Sequence, residues 1–178
     1  MNTTAFRLSL LFQLLALFAF AQKNAGLKNL LNKNSEFVFP QTPDRVSAAL
    51  GVKTIFSKDA NEQPYANWAT KFGLELYCSL GEDKNINEMF FIIPEENLTE
   101  VEGLPFNLVM NRTTPEQSAI KFSRYKIKKE KLGEDGQFPG GRRLTFKKEN
   151  RFITLLFDRK NLLKFLSITT GLIDPAVN

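Results

Sequence analysis

Histidine is absent from all 178 residues, and cysteine occurs once, as Cys78. The missing imidazole excludes Ser-His and Cys-His nucleophile pairs and every metal site that depends on a histidine ligand. A lone cysteine excludes an internal disulfide, and Cys78 lies too far from the N-terminal apolar segment to carry a lipid. It reads as a small buried hydrophobe. The chain also lacks a G-x-x-x-x-G-K-[ST] phosphate loop, a G-x-S-x-G nucleophile elbow and a D-x-D-x-D-G calcium loop. Glu75, Glu82 and Asp83 could in principle work as acid–base pairs, but they fall on or beside a strand end, where solvated charge is ordinary. These absences point away from chemistry. No cofactor, no metal and no catalytic residue is expected, and the chain reads as a non-enzyme.

What is present begins with an export signature. Arg7 supplies an early positive charge, Leu8 to Phe20 runs apolar apart from Ser9 and Gln13, and Ala19-Phe20-Ala21 forms a small-x-small cleavage site. A charged start, a short apolar stretch and an A-x-A end are the pattern of a secretory signal peptide. The apolar run is shorter than the roughly 20 residues needed to cross a bilayer. The expectation is a signal peptide over residues 1–21, Gln22 as the first mature residue, and an exported protein, periplasmic or extracellular. No integral membrane span is expected after cleavage.

Charge divides the remainder. Residues 22–110 carry eight Lys/Arg against twelve Asp/Glu, and residues 111–178 carry fifteen against seven. The dense basic stretch holds Arg124, Lys126, Lys128, Lys129 and Lys131, then Arg142, Arg143, Lys147, Lys148 and Arg151. Such a distribution can steer an acidic partner onto one half, and it can equally serve to blunt exposed strands. Nucleic acid is not an expected partner, because the protein is expected to be exported and its acidic half repels phosphate.

Residues 22–35 are polar and Asn- and Lys-rich, with only Leu27, Leu30 and Leu31 to bury, and read as a flexible, frayed lead-in. The rest divides into a first unit over 36–103 and a second over 104–178. Thr42-Pro43-Asp44 and Thr114-Pro115-Glu116 each place a Thr to cap a helix, a Pro at its first position and an acid in its first turn. Thr114 with Gln117 fits a capping box, and Gly51 would end the first helix in the left-handed conformation. Strands follow in each unit. Phe72, Leu74, Leu76, Cys78 and Leu80 alternate with more polar residues, and Met89 to Ile93 runs continuously apolar. Tyr125 to Lys131, Leu144 to Lys147, Phe152 to Phe157 and Leu162 to Ile168 form a second series, with turns at Lys148-Glu149-Asn150 and Asp158-Arg159-Lys160-Asn161. The expected fold is α+β: two tandem helix-plus-antiparallel-meander repeats in two layers, each helix covering its own sheet.

Gly103-Leu104-Pro105-Phe106-Asn107-Leu108 with Thr113-Thr114-Pro115-Glu116, then Leu144-Thr145-Phe146 and Phe152 to Phe157, resemble the repeat of the β-lactamase inhibitory proteins. The same unit occurs singly in SmpA/OmlA-type outer-membrane assembly lipoproteins. The resemblance spans about residues 37–170 and implies a concave sheet that binds another protein without chemistry of its own. The expected function is a protein-binding module, an inhibitor or immunity protein directed at an envelope or secreted toxin or hydrolase. A structural role in envelope assembly is the alternative, and an enzyme of unknown type the third reading. Aromatic residues and Arg dominate interface hot spots. Arg124, Tyr125, Phe138, Arg142 and Arg143 are therefore the candidate contacts for a partner with an acidic surface. Phe138, in a glycine-rich loop, is expected to stand out as a contact knob, and Trp68 to pack between helix and sheet.

Overall fold

Alternation and turn chemistry produce a run of strands, eight of which join one sheet. The computed structural model describes residues 23–172; the leader expected over residues 1–21 lies outside them. The strands are β1 (Lys23–Asn24), β2 (Ile55–Lys58), β3 (Pro64–Ala69), β4 (Glu75–Ser79), β5 (Met89–Ile92), β6 (Val101–Glu102), β7 (Lys128–Lys131), β8 (Arg142–Lys148), β9 (Arg151–Phe157) and β10 (Leu163–Thr169). Two α-helices accompany them, α1 (Pro43–Leu50) and α2 (Pro115–Lys121). Eight strands form a continuous antiparallel sheet in the order β2-β3-β4-β5-β10-β9-β8-β7. β1 and β6 pair in parallel as a separate two-stranded ribbon.

The helix starts form as their sequences require. Thr42 Oγ1 accepts from the Arg45 amide, and Thr114 with Gln117 closes a reciprocal capping box. Gly51 ends α1 at φ 67°. The expected layer arrangement is corrected, however. Eight strands at about 4.8 Å spacing span roughly 34 Å. Helices of eight and seven residues measure only about 12 and 10 Å, at about 1.5 Å per residue. They cannot serve as the second layer: α1 buries only Val46, and α2 only Pro115 and Ser118. The fold is mostly β, one large sheet rather than two helix-covered repeats.

Irregular chain does the covering instead. Leu74, Leu76, Cys78, Met89, Phe91, Leu144, Phe146, Ile153, Leu155, Leu166 and Ile168 from the sheet share a core with Leu27, Leu30, Phe37, Leu104, Phe106, Leu108, Met110 and Phe122 from outside it. Of residues 22–35, read as a frayed lead-in, the described residues 23–35 are therefore pinned. Their 3-10 turn Leu27–Leu30 buries both of its leucines, while β1 holds the ribbon to β6. Trp68 is buried, and its Nε1–H donates to Ser47 Oγ of α1 (3.1 Å) and Thr54 Oγ1 (2.9 Å).

The other face of the sheet carries a smaller cluster of Phe90, Leu156 and Phe165, with Phe138 set on top of it and Tyr77 stacked against Phe90 at 4.7 Å. The seam between the two meanders, β5 against β10, is tied by Lys164. Its Nζ, fully buried, donates to the backbone carbonyls of Glu95 (2.8 Å), Asn97 (2.9 Å) and Pro94 (3.4 Å), with Asp158 Oδ2 at 3.9 Å. Burial pushes the Lys164 amine below the ordinary lysine value, against the pull of Asp158. Among the described residues no helix is long and apolar enough to cross a membrane.

Candidate functional site

β7 is a strand of four residues, Lys128-Lys129-Glu130-Lys131, and every other residue of a strand shares a face. Lys129 and Lys131 therefore lie together, opposite Leu144 and Arg142 of β8 in the antiparallel register. The N-terminal end of α2 brings Pro115 and Glu116 to this face, and the β9–β10 turn brings Arg159 and Asn161. Together with Glu130, Arg143 and Gly140 they line a cleft of about 580 Å³ floored in part by Leu144. Lys129, Lys131, Arg142 and Arg159 meet Glu116 there, while Glu130 and Arg143, directly opposite one another, alternate onto the other face of the strands and border the cleft from its edge.

The two carboxylates are already committed. Glu116 Oε1 accepts from Arg142 Nη1 at 3.1 Å. Its own backbone amide, then the Thr114 hydroxyl and the charges of Arg142 and Lys129, hold its carboxyl below the usual range. Glu130 accepts from Arg143 Nε at 3.0 Å and pairs with Lys128 Nζ at 2.8 Å. The Lys128 hydrogen bond, with Arg143, lowers its carboxyl likewise. Both acids are fixed in the ionised form, which suits charge pairing and not proton transfer near neutrality. Arg159 Nη2 reaches Glu134 Oε2 at 2.8 Å, whereas Lys129 and Lys131 have no carboxylate within ion-pair distance among the described residues. The Arg142–Glu116 and Arg159–Glu134 pairs are exposed and contribute little to stability, and the Arg143–Glu130 pair is half-buried. Their effect is the field they leave: an excess of positive charge in a concave, open site that attracts anionic groups.

The five expected contact residues are not brought together. Arg142 and Arg143 line the cleft. Arg124 and Tyr125 lie beyond the C-terminal end of α2, where the guanidinium sits 4.9 Å from the Tyr125 ring centre and that ring stacks on Phe146 at 5.3 Å. Tyr125 packs against the main core, and only Arg124 is exposed. Phe138 is corrected outright. It is 2 % exposed, inserted between its loop and Phe90, Leu156 and Phe165, so it fastens the loop and offers no knob. Gly141 explains how the loop comes so close: a Cβ there would lie 2.0 Å from the Phe157 carbonyl oxygen.

Sequence reasoning missed Glu116, Glu130 and Arg159 as members of the site, and did not single out Lys129 and Lys131 from the basic stretch. The i, i+2 spacing of the two lysines was the available signal. Arg159, in a turn between two later strands, gave none. The carboxylates weighed earlier stay apart from this cleft: Glu75 is exposed on β4, and Asp83 is held ionised chiefly by the Asn85 backbone amide. No family model, curated protein or solved structure matches this chain.

Proposed function

We propose that the protein is an exported, non-enzymatic protein-binding module that receives an acidic surface of another protein in the cleft beside β7 and β8. One observation carries this reading: Lys129 and Lys131, with no carboxylate within ion-pair distance among the described residues, stand beside Arg142 and Arg159 on one edge of the sheet. A groove of this kind suits a rim of Asp and Glu side chains, or an acidic loop, by electrostatic complementarity. Inhibition or neutralisation of a secreted or envelope toxin or hydrolase is the biological sense we attach to it. That sense rests on the export signature and on the sequence resemblance to inhibitory proteins.

Affinity capture from secreted and envelope fractions, run in parallel with the wild type and with Lys129→Glu/Lys131→Glu/Arg142→Glu, tests the proposal. A protein of acidic surface retained by the wild type, released by added salt and lost by the triple variant supports it. A partner held equally by both forms places the binding surface elsewhere on the molecule and overturns it.

A further inference from the structure

The opposite edge of the sheet has a different chemistry, independent of the cleft. β2 is a terminal strand, paired only with β3. Pro64 of β3 has no amide hydrogen, and its carbonyl accepts from the Leu80 amide on the far side. The opposed pair Lys58 and Pro64 is thus not hydrogen-bonded. Alternation along an antiparallel ladder makes Ser57–Tyr65 and Ile55–Asn67 the bonded pairs. It follows that the N–H and C=O of Phe56 face outward, away from the sheet. Ile55 and Phe56 are 61 % and 64 % exposed, one on each face of the strand. A free edge with apolar side chains on both faces is a template for another strand unless it is blunted. β7, with three lysines, is blunted in that way, whereas β2 carries one, Lys58, at its end beside Ile55 and Phe56.

We propose that β2 is a self-association surface, on which a second copy of this chain pairs β2 against β2 in an antiparallel register centred on Phe56. The flanks of the strand select this occupant. Lys53 precedes it and Asp59 follows it, both exposed. An antiparallel pairing about Phe56 sets Phe56 opposite itself, Ile55 opposite Ser57, and Lys53 opposite Asp59 of the second copy. A two-fold axis makes that charge pair occur twice, whereas a parallel pairing would set like charge beside like. The outward amide and carbonyl of Phe56 then exchange hydrogen bonds with their own counterparts. Lys58, whose partner across the new seam is Thr54, already has Glu62 as its ion-pair partner. The two sheets become one continuous sheet. A four-residue edge buries less than the roughly 1,000 Å² of a stable interface, so the dimer is a concentration-dependent one.

Sedimentation equilibrium on the full-length protein, from micromolar to near-millimolar concentration, tests this. The wild type is expected to pass from monomer to dimer across the range. Phe56→Pro removes an outward N–H that the β3 ladder does not use. It should remain monomeric with an unchanged unfolding midpoint. Lys53→Glu should weaken the dimer about fivefold. A wild type that stays monomeric throughout overturns the proposal. So does a dimer that persists unchanged in Phe56→Pro and Lys53→Glu.

Discussion

The two halves of the single large sheet, β2 to β5 and β7 to β10, end in unlike edges. β2 offers Ile55 and Phe56 to solvent on opposite faces, while β7 offers Lys128, Lys129 and Lys131. The faces differ too. In the second half the loop from Leu132 to Gly141 roofs the outer surface with Phe138, whereas on the first half that apolar cluster reaches only Tyr77, Phe90 and Ile92. A strand's position in a sheet sets only the geometry of its free hydrogen-bonding groups. The side chains on that edge then decide whether it meets a partner's charge or another strand.

Four changes would break or sharpen this contrast. The largest in reach acts on what joins the halves. Lys164→Ala strands the Glu95 carbonyl, since those of Pro94 and Asn97 keep the Asn97 amide and Asn111 Nδ2 as donors, and leaves Asp158 buried without its cation, at a cost of about 3 kcal/mol. Denaturant melts should show both halves destabilised together, because β5 and β10 share that seam. Phe138→Ala acts chiefly on the second half and reaches the first only through Phe90 of β5. It should cost about 3 kcal/mol and leave capture of an acidic partner intact once the protein is folded, since the ring is buried away from the cleft.

Alkaline pH unloads the first half. Burial pushes the Cys78 thiol up to about 12, and burial with Tyr65 nearby pushes the Tyr77 phenol up to about 12. Both folded values lie above the unfolded ones. Their stabilisation is therefore whole below the unfolded thiol and phenol values and is lost as pH climbs toward 12. Lys164, with its value depressed, acts in the opposite sense and regains stability as its amine deprotonates. Melts at stepped pH above 9 should show Cys78→Ala with a fall shallower by up to one proton, about 1.4 kcal/mol per pH unit. The smallest effect separates the two helix starts. Thr114→Ala removes a reciprocal box and should cost about 1 kcal/mol, and Thr42→Ala, with one long 3.4 Å bond to lose, about half of that.

The parts of this fold that were legible are those decided within a few residues. Thr42 and Thr114 cap helices with their own side chains, and Leu74, Leu76, Cys78 and Leu80 alternate into the core as their spacing predicts. β2 and β3 escaped notice. Ile55 and Phe56 are adjacent apolar residues on opposite faces of an edge, so no alternation marks them, and β3 opens with a proline. The class of the fold was misread because helix starts reveal position and not length. Two turns of helix cannot roof eight strands, and the leucines and phenylalanines that do so come from segments without periodicity.

The site was legible in part for the same reason. The basic stretch announced itself, but only the register of β7 on β8 and the reach of the β9–β10 turn decide which of its cations share a cleft. Phe138 shows the converse. Its burial depends on Phe90, Leu156 and Phe165 from three different strands, none of them near it in sequence.

The most direct test of the central claim is an NMR titration of the protein with a glutamate-rich peptide at low and high salt. The account predicts backbone shifts confined to residues 115–116, 128–131, 140–144 and 159–161, and their loss at high salt as the charges are screened. Shifts spread evenly over both halves, or centred on Arg124 and Tyr125, would contradict it.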